Sequence, residues 1–116
     1  MVVVTGCFSF ASRPLLPENK APVIDAGYPD SGQTISIGSN GTTVWIKAYD
    51  PEGAELDYSW SCGEHIECGT AALVKRGSSV TIPWEPALDG QVLEVTVEDD
   101  EHKIASRRWP IVVPAQ

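Results

Sequence analysis

The chain has 116 residues, with 16 acidic against 8 basic side chains and a formal net charge of -8, which suits one domain with its own core and leaves no room for a second. That excess of carboxylates repels nucleic acid and anionic lipid headgroups, and the basic pairs Lys75-Arg76 and Arg107-Arg108 lack the interleaved aromatics on which bases stack. Nine prolines and ten glycines punctuate short alternating runs, no apolar pattern of helical period is sustained, and no run approaches the roughly 20 residues of a membrane-spanning helix, so an all-β chain is predicted.

Taken in order, Val4-Thr5-Gly6-Cys7 resembles the lipobox of bacterial lipoproteins, an apolar and two small residues before a cysteine. The resemblance implies cleavage before Cys7 and acylation of its sulfur and amine, an anchor in which each buried methylene contributes roughly 0.8 kcal/mol. Only six residues precede Cys7, fewer than the basic and apolar regions of a working signal. Either the reading frame starts upstream of Met1, or the stretch is a tail with a spare thiol. Phe8 to Ala21, with Pro14 and Pro17 and no alternation, reads as a tether. Residues 1–20 are therefore assigned to anchor and tether, and residues 21–116 to the domain.

Pro22 to Gly27 is a short alternating run suited to an edge strand, and Tyr28 to Gly32 reads as a turn. Gln33 to Gly38 alternates again before Asn40-Gly41, a tight-turn pair. Asn40-Gly41-Thr42 is also a glycosylation sequon, relevant only in a eukaryotic secretory pathway. Val44, Ile46 and Ala48 then alternate with Trp45, Lys47 and Tyr49, and after the turn from Asp50 to Glu55, Leu56, Tyr58 and Trp60 alternate with Asp57 and Ser59. Ser61 to Gly77 has little periodicity. Val80 and Ile82, then Leu93, Val95 and Val97, then Trp109, Ile111 and Val113 are the inward sets of three further strands, with Pro110 hinting at an edge.

Three stretches, Ala48-Tyr49-Asp50-Pro51-Glu52-Gly53, Leu56-Asp57-Tyr58-Ser59-Trp60 and Leu93 to Asp99, together with Pro22 to Gly27, resemble the PKD family and related cadherin-like and fibronectin-like modules. The likeness covers roughly residues 20 to 114. It departs from the PKD pattern at Ser61-Cys62-Gly63-Glu64 and lacks the aromatic before the sixth strand. It implies an immunoglobulin-like, two-sheet antiparallel sandwich of about seven strands, with Trp60 central in the third.

In such a topology the turn holding Asp50, Glu52 and Glu55 lies at the same end as Asp99, Asp100 and Glu101, and gathered carboxylates are what Ca²⁺ binds. The commoner reading of the same residues is acidic turn chemistry, with Asp50 bonding its own backbone. Cys62 and Cys68 are close in sequence. A disulfide between them would contribute about 2 to 2.5 kcal/mol, and zinc with His65 is the alternative. If Cys7 is acylated, the remaining pair is even.

Trp60 and Trp109 are expected inside. Trp45 and Tyr49 share the outer face as a candidate contact patch, unless Trp45 is covered by the tail or a long side chain. No nucleophile elbow, phosphate loop or zinc-protease motif is present, so no catalysis is expected. The expected role is a non-catalytic binding or spacer module, lipid-anchored outside a bacterial cytoplasmic membrane, with another surface protein or a glycan as partner. The other readings are a carbohydrate-recognition accessory domain and a calcium-rigidified structural element.

Overall fold

The computed structural model describes residues 20–63 and 69–115. They form eight strands: β1 Val23–Tyr28, β2 Ile35–Ser36, β3 Thr42–Tyr49, β4 Asp57–Ser61, β5 Thr70–Val74, β6 Gly77–Ile82, β7 Val92–Glu98 and β8 Ile104–Val112. A single 3₁₀ turn, Pro86–Leu88, interrupts them. Glu85 caps this turn by accepting from the Ala87 amide, and Pro86, which has no N–H to satisfy, opens it.

The strands make two four-stranded sheets, ordered β1-β3-β6-β5 and β2-β8-β7-β4. All pairings are antiparallel except β2 with β8. The chain thus begins in one sheet and crosses to the other between β1 and β2, at Tyr28–Pro29, where the peptide bond is cis. This is an immunoglobulin-like sandwich whose first strand is divided between the two sheets. With the first strand divided in two, the described residues hold eight strands against the expected number of about seven, and Trp60 lies in β4.

The period of two explains the core. Val44, Ile46 and Ala48 of β3, Val80 and Ile82 of β6, Leu93, Val95 and Val97 of β7, and Trp109 and Ile111 of β8 are all buried, with their neighbours turned outward. Each such aliphatic side chain contributes about 1.5–3 kcal/mol by leaving water. Trp109 is fully buried and stacks on Trp60 with ring centroids 6.2 Å apart and planes 12° from parallel, so the two tryptophans expected inside lie side by side on the inner face of the second sheet, from strands on either side of β7. Their polar ends are satisfied, as buried indoles require. Trp109 Nε1 donates to the carbonyls of Pro29 and Asp30, 3.0 and 3.1 Å away, in the crossing segment. Trp60 Nε1 donates to Ser78 Oγ on the opposite sheet at 2.9 Å, and Ser78 passes its own hydrogen to the Ala72 carbonyl.

Three local expectations are corrected. Tyr28 belongs to β1 rather than to a turn and pairs with Trp45. The stretch after Trp60 contains a strand, β5, that shows no alternation because all five of its residues are exposed. Pro110 does not mark an edge, since β8 runs between β2 and β7. Ile111 exchanges bonds with Gly90 and Gln91 on the β7 side, so the nitrogen of Pro110 points the other way, where β2 begins only at the Ile35–Ile111 pair.

Candidate functional site

The outer face of the first sheet gathers the exposed aromatics. Residues directly opposite one another in an antiparallel pair share a face, so the Tyr28–Trp45, Ala26–Lys47 and Val23–Tyr49 pairs of β1 and β3 are neighbours on it. Tyr28 is 56% exposed and Tyr49 40% exposed, while Trp45 is half-buried. The β6 residues opposite Trp45 and Lys47 are Ser79 and Gly77, so nothing large separates the aromatics from Ala72 and Val74 of β5. Gly77 is obligatory there, because a Cβ would run into the Ile46 carbonyl.

Cations lie over two of these rings. Lys47 Nζ sits 5.7 Å from the centre of the Trp45 ring, and the Arg76 guanidinium 5.9 Å from that of Tyr49, contacts of about 0.5–1 kcal/mol at exposed sites. Arg76 also bonds Asp25 at 2.9 Å. Trp45 is thus covered in part by a long side chain, and the patch is a mixed aromatic and basic surface on an acidic protein. Tyr28, which reasoning from the sequence left out of it, joins because β1 shifts register between Ile24 and Ala26. The proline that follows Tyr28 read as a turn signal and hid this.

The acidic turns do occupy one end of the sandwich, since Asp57, which follows the first, pairs with Glu98, which precedes the second. They are built alike. Asp50 Oδ2 accepts from the amides of Glu52 and Ala54, and Asp99 Oδ1 from those of Glu101 and Lys103, all between 2.8 and 3.0 Å. Three residues after each aspartate the backbone is left-handed, at Gly53 with φ 82° and at His102 with φ 68°. Both carboxylates are buried by their own loops, and Asp50 Oδ1 has no hydrogen-bond partner. Glu52, Glu55, Asp100 and Glu101 are exposed, Glu52 accepting from the Lys20 amide. Among the described residues no three acidic, histidine or cysteine side chains come together as a set that could hold a metal ion. Of the expected set Asp50, Glu52, Glu55, Asp99, Asp100 and Glu101, the two aspartates each turn one carboxylate oxygen to the amides of their own loop, the turn chemistry that the sequence also offered for Asp50.

His102, largely exposed, donates from Nδ1 to Glu98 Oε2 at 2.7 Å, and the hydrogen bond and charge of Glu98 raise its pKa above the usual histidine value. Burial raises that of Tyr58, against a smaller opposing pull from Arg76. Tyr58, Leu56, Tyr49, Leu73, Val74 and Arg76 are among the residues lining an open groove between the β3–β4 loop and the β5–β6 hairpin. Cys62 is fully buried and disulfide-bonded. Its expected partner Cys68, His65 and the acylation candidate Cys7 lie outside the described residues.

No known family model matches the sequence, and no curated protein matches it. Solved structures do. A chimeric titin Z1Z2 carrying a KLER exogenous peptide from decorin superposes with a TM-score of 0.61 at 12% identity, over 86% of this chain and 100% of that one. These likenesses show the fold. The second is to a nucleoside hydrolase-related hypothetical protein from Saccharophagus degradans associated with carbohydrate metabolism, with a TM-score of 0.50 and 24% identity over 83% of this chain. This chain spans only 26% of that protein's length.

Proposed function

We propose that this chain is a non-catalytic binding or spacer module of the bacterial cell envelope, PKD-like within the immunoglobulin-like fold, held by a lipid on Cys7 and braced by a Cys62–Cys68 disulfide. Its contact surface is the outer face of the first sheet. The observation that carries this reading is the row Tyr28, Trp45 and Tyr49 on that face, aromatics held toward solvent with Lys47 and Arg76 among them. Aromatic and arginine side chains are the composition that distinguishes contact surfaces from the rest of an exterior. A photoreactive residue at position 45, in cells expressing the tethered protein, is expected to cross-link to a product of discrete mass. A product only from a control position on the second sheet, such as Thr96, would overturn the assignment of the face.

A second reading, carbohydrate recognition, is favoured by the hydroxyls beside those rings, where Thr43 and Thr81 Oγ1 atoms lie 3.0 Å apart. Its support from likeness is the neighbour described as associated with carbohydrate metabolism. Binding on a glycan array that disappears in Trp45→Ser, at unchanged melting temperature, is its expected outcome. The lipid anchor predicts a diacylated or triacylated Cys7 in the mass spectrum of protein purified from membranes.

A further inference from the structure

The open groove between the β3–β4 loop and the β5–β6 hairpin has a volume of about 520 Å³, within the range of sites that take a small group. Its sides differ in chemistry. One is apolar, with Leu56, Tyr58 of β4 in the second sheet, and Leu73 of β5 in the first. Leu73 stands opposite Ser78, which faces inward to bond Trp60, so it shares the face turned toward this space, yet it is 79% exposed. The other side is the β3–β4 loop, with Asp50 and Glu55. Asp50 is only 7% exposed. Its Oδ2 takes the amides of Glu52 and Ala54, while Oδ1 is buried with no hydrogen-bond partner. Among the described residues neither Asp50 nor Glu55 forms an ion pair. Arg76, the basic residue of the groove, does not offset them, because it is bonded to Asp25 at 2.9 Å.

We propose that this groove receives a lysine side chain of a partner polypeptide, its ammonium against the wall of Asp50 and Glu55 and its methylene stem across Leu56, Tyr58 and Leu73. The two halves of the groove match the two halves of that side chain, since long cationic side chains lay their stems on apolar surface and keep the charged head in a polar setting. A buried carboxylate oxygen without a donor costs the folded chain free energy, and a positively charged donor relieves that cost. An anion would instead meet two carboxylates, and a wholly apolar group would leave Oδ1 unpaired. The net charge of -8 draws basic partners toward the surface. Trp45 does not line the groove, so this site does not depend on the contact face proposed above.

Titration of the full chain with N-acetyl-lysine methylamide, followed by amide NMR, tests the assignment. Shifts confined to the groove, at residues such as Ala54, Leu56, Leu73 and Gly77, are expected to saturate in the range of about 1–10 mM, as suits one side chain. The norleucine derivative, which keeps the stem and lacks the ammonium, is expected to bind at least about tenfold more weakly. Asp50→Asn keeps an oxygen for the loop amides and replaces the other with a donor; it is expected to abolish saturation. Glu55→Gln, at an exposed position outside the loop hydrogen bonds, is expected to weaken binding about twofold to fivefold at unchanged melting temperature. Equal affinity for the lysine and norleucine derivatives, shifts lying outside the groove, or no saturation below about 100 mM would overturn the proposal. A methyl glycoside that moves the same amides where the lysine derivative does not would overturn it too, and would reassign the groove to a polyol.

Discussion

At the scale of single residues, Asp50 and Asp99 organise the end of the sandwich by the same means: one carboxylate oxygen receives the amides two and four residues on. Hydrogen bonds to a charged acceptor contribute about 1.5–3 kcal/mol each before non-additivity, so Asp50→Ala is expected to lower unfolding stability by about 2 kcal/mol, measurable by urea denaturation. Gly53→Ala is expected to cost about 1 kcal/mol because φ is positive there. His102 adds a pH dependence. Its folded pKa is raised, first by the hydrogen bond to Glu98 and then by that residue's charge. The pair is therefore fully stabilising below the ordinary histidine pKa and its contribution fades as pH rises through the elevated one. An NMR titration of the His102 ring should show that elevation, and Glu98→Gln should return it toward the ordinary value. The turn chemistry of Asp50 was legible in Asp50-Pro51-Glu52-Gly53; the matching device at Asp99 was not, because its left-handed position is filled by histidine rather than glycine.

At the scale of elements, legibility followed burial on one face. β3, β7 and β8 each bury alternate residues against the opposing sheet, so their pattern could be read directly, and the inward positions of Trp60 and Trp109 with it. β5 overhangs the second sheet, buries neither face, and therefore leaves no periodic trace. The face of β1 was obscured by its register shift at Asp25, which is why Tyr28 went unnoticed beside Trp45. β4 and β6 are held together across the sandwich by a polar link, Trp60 to Ser78. Ser78→Ala strands a half-buried indole N–H and is expected to cost about 1–3 kcal/mol, more than its small change in volume suggests. Ser78→Thr, which keeps the hydroxyl, separates hydrogen bonding from packing if it recovers most of that loss in thermal unfolding.

At the scale of the molecule, the acidic turns share an end, with Asp50 and Asp99 each bonded to its own loop. Calcium at about 1 mM, the range of weak extracellular modules, is accordingly expected to leave the melting temperature unchanged, and a rise of several degrees would show that Glu52, Glu55, Asp100 or Glu101 swing in to complete a site. The sandwich could be anticipated because its core strands alternate. The grouping of Tyr28 with Trp45 and Tyr49 on one outer face could not, since it depends on which strands lie beside one another.

The division of the first strand has a mechanical consequence. The described chain enters beside the acidic turns, where Val23 pairs with Tyr49, and leaves at the far end of β8, where Ser36 pairs with Val112. A pull between the two ends acts along the sandwich, and because β2 and β8 run parallel it drives them past each other. The backbone bonds joining them, including the one from the Ile37 amide to the Val112 carbonyl, lie across that pull and bear it together rather than parting one after another. Stretching by single-molecule force should therefore meet a single sharp resistance, lowered when Ile35→Pro removes a donor from β2.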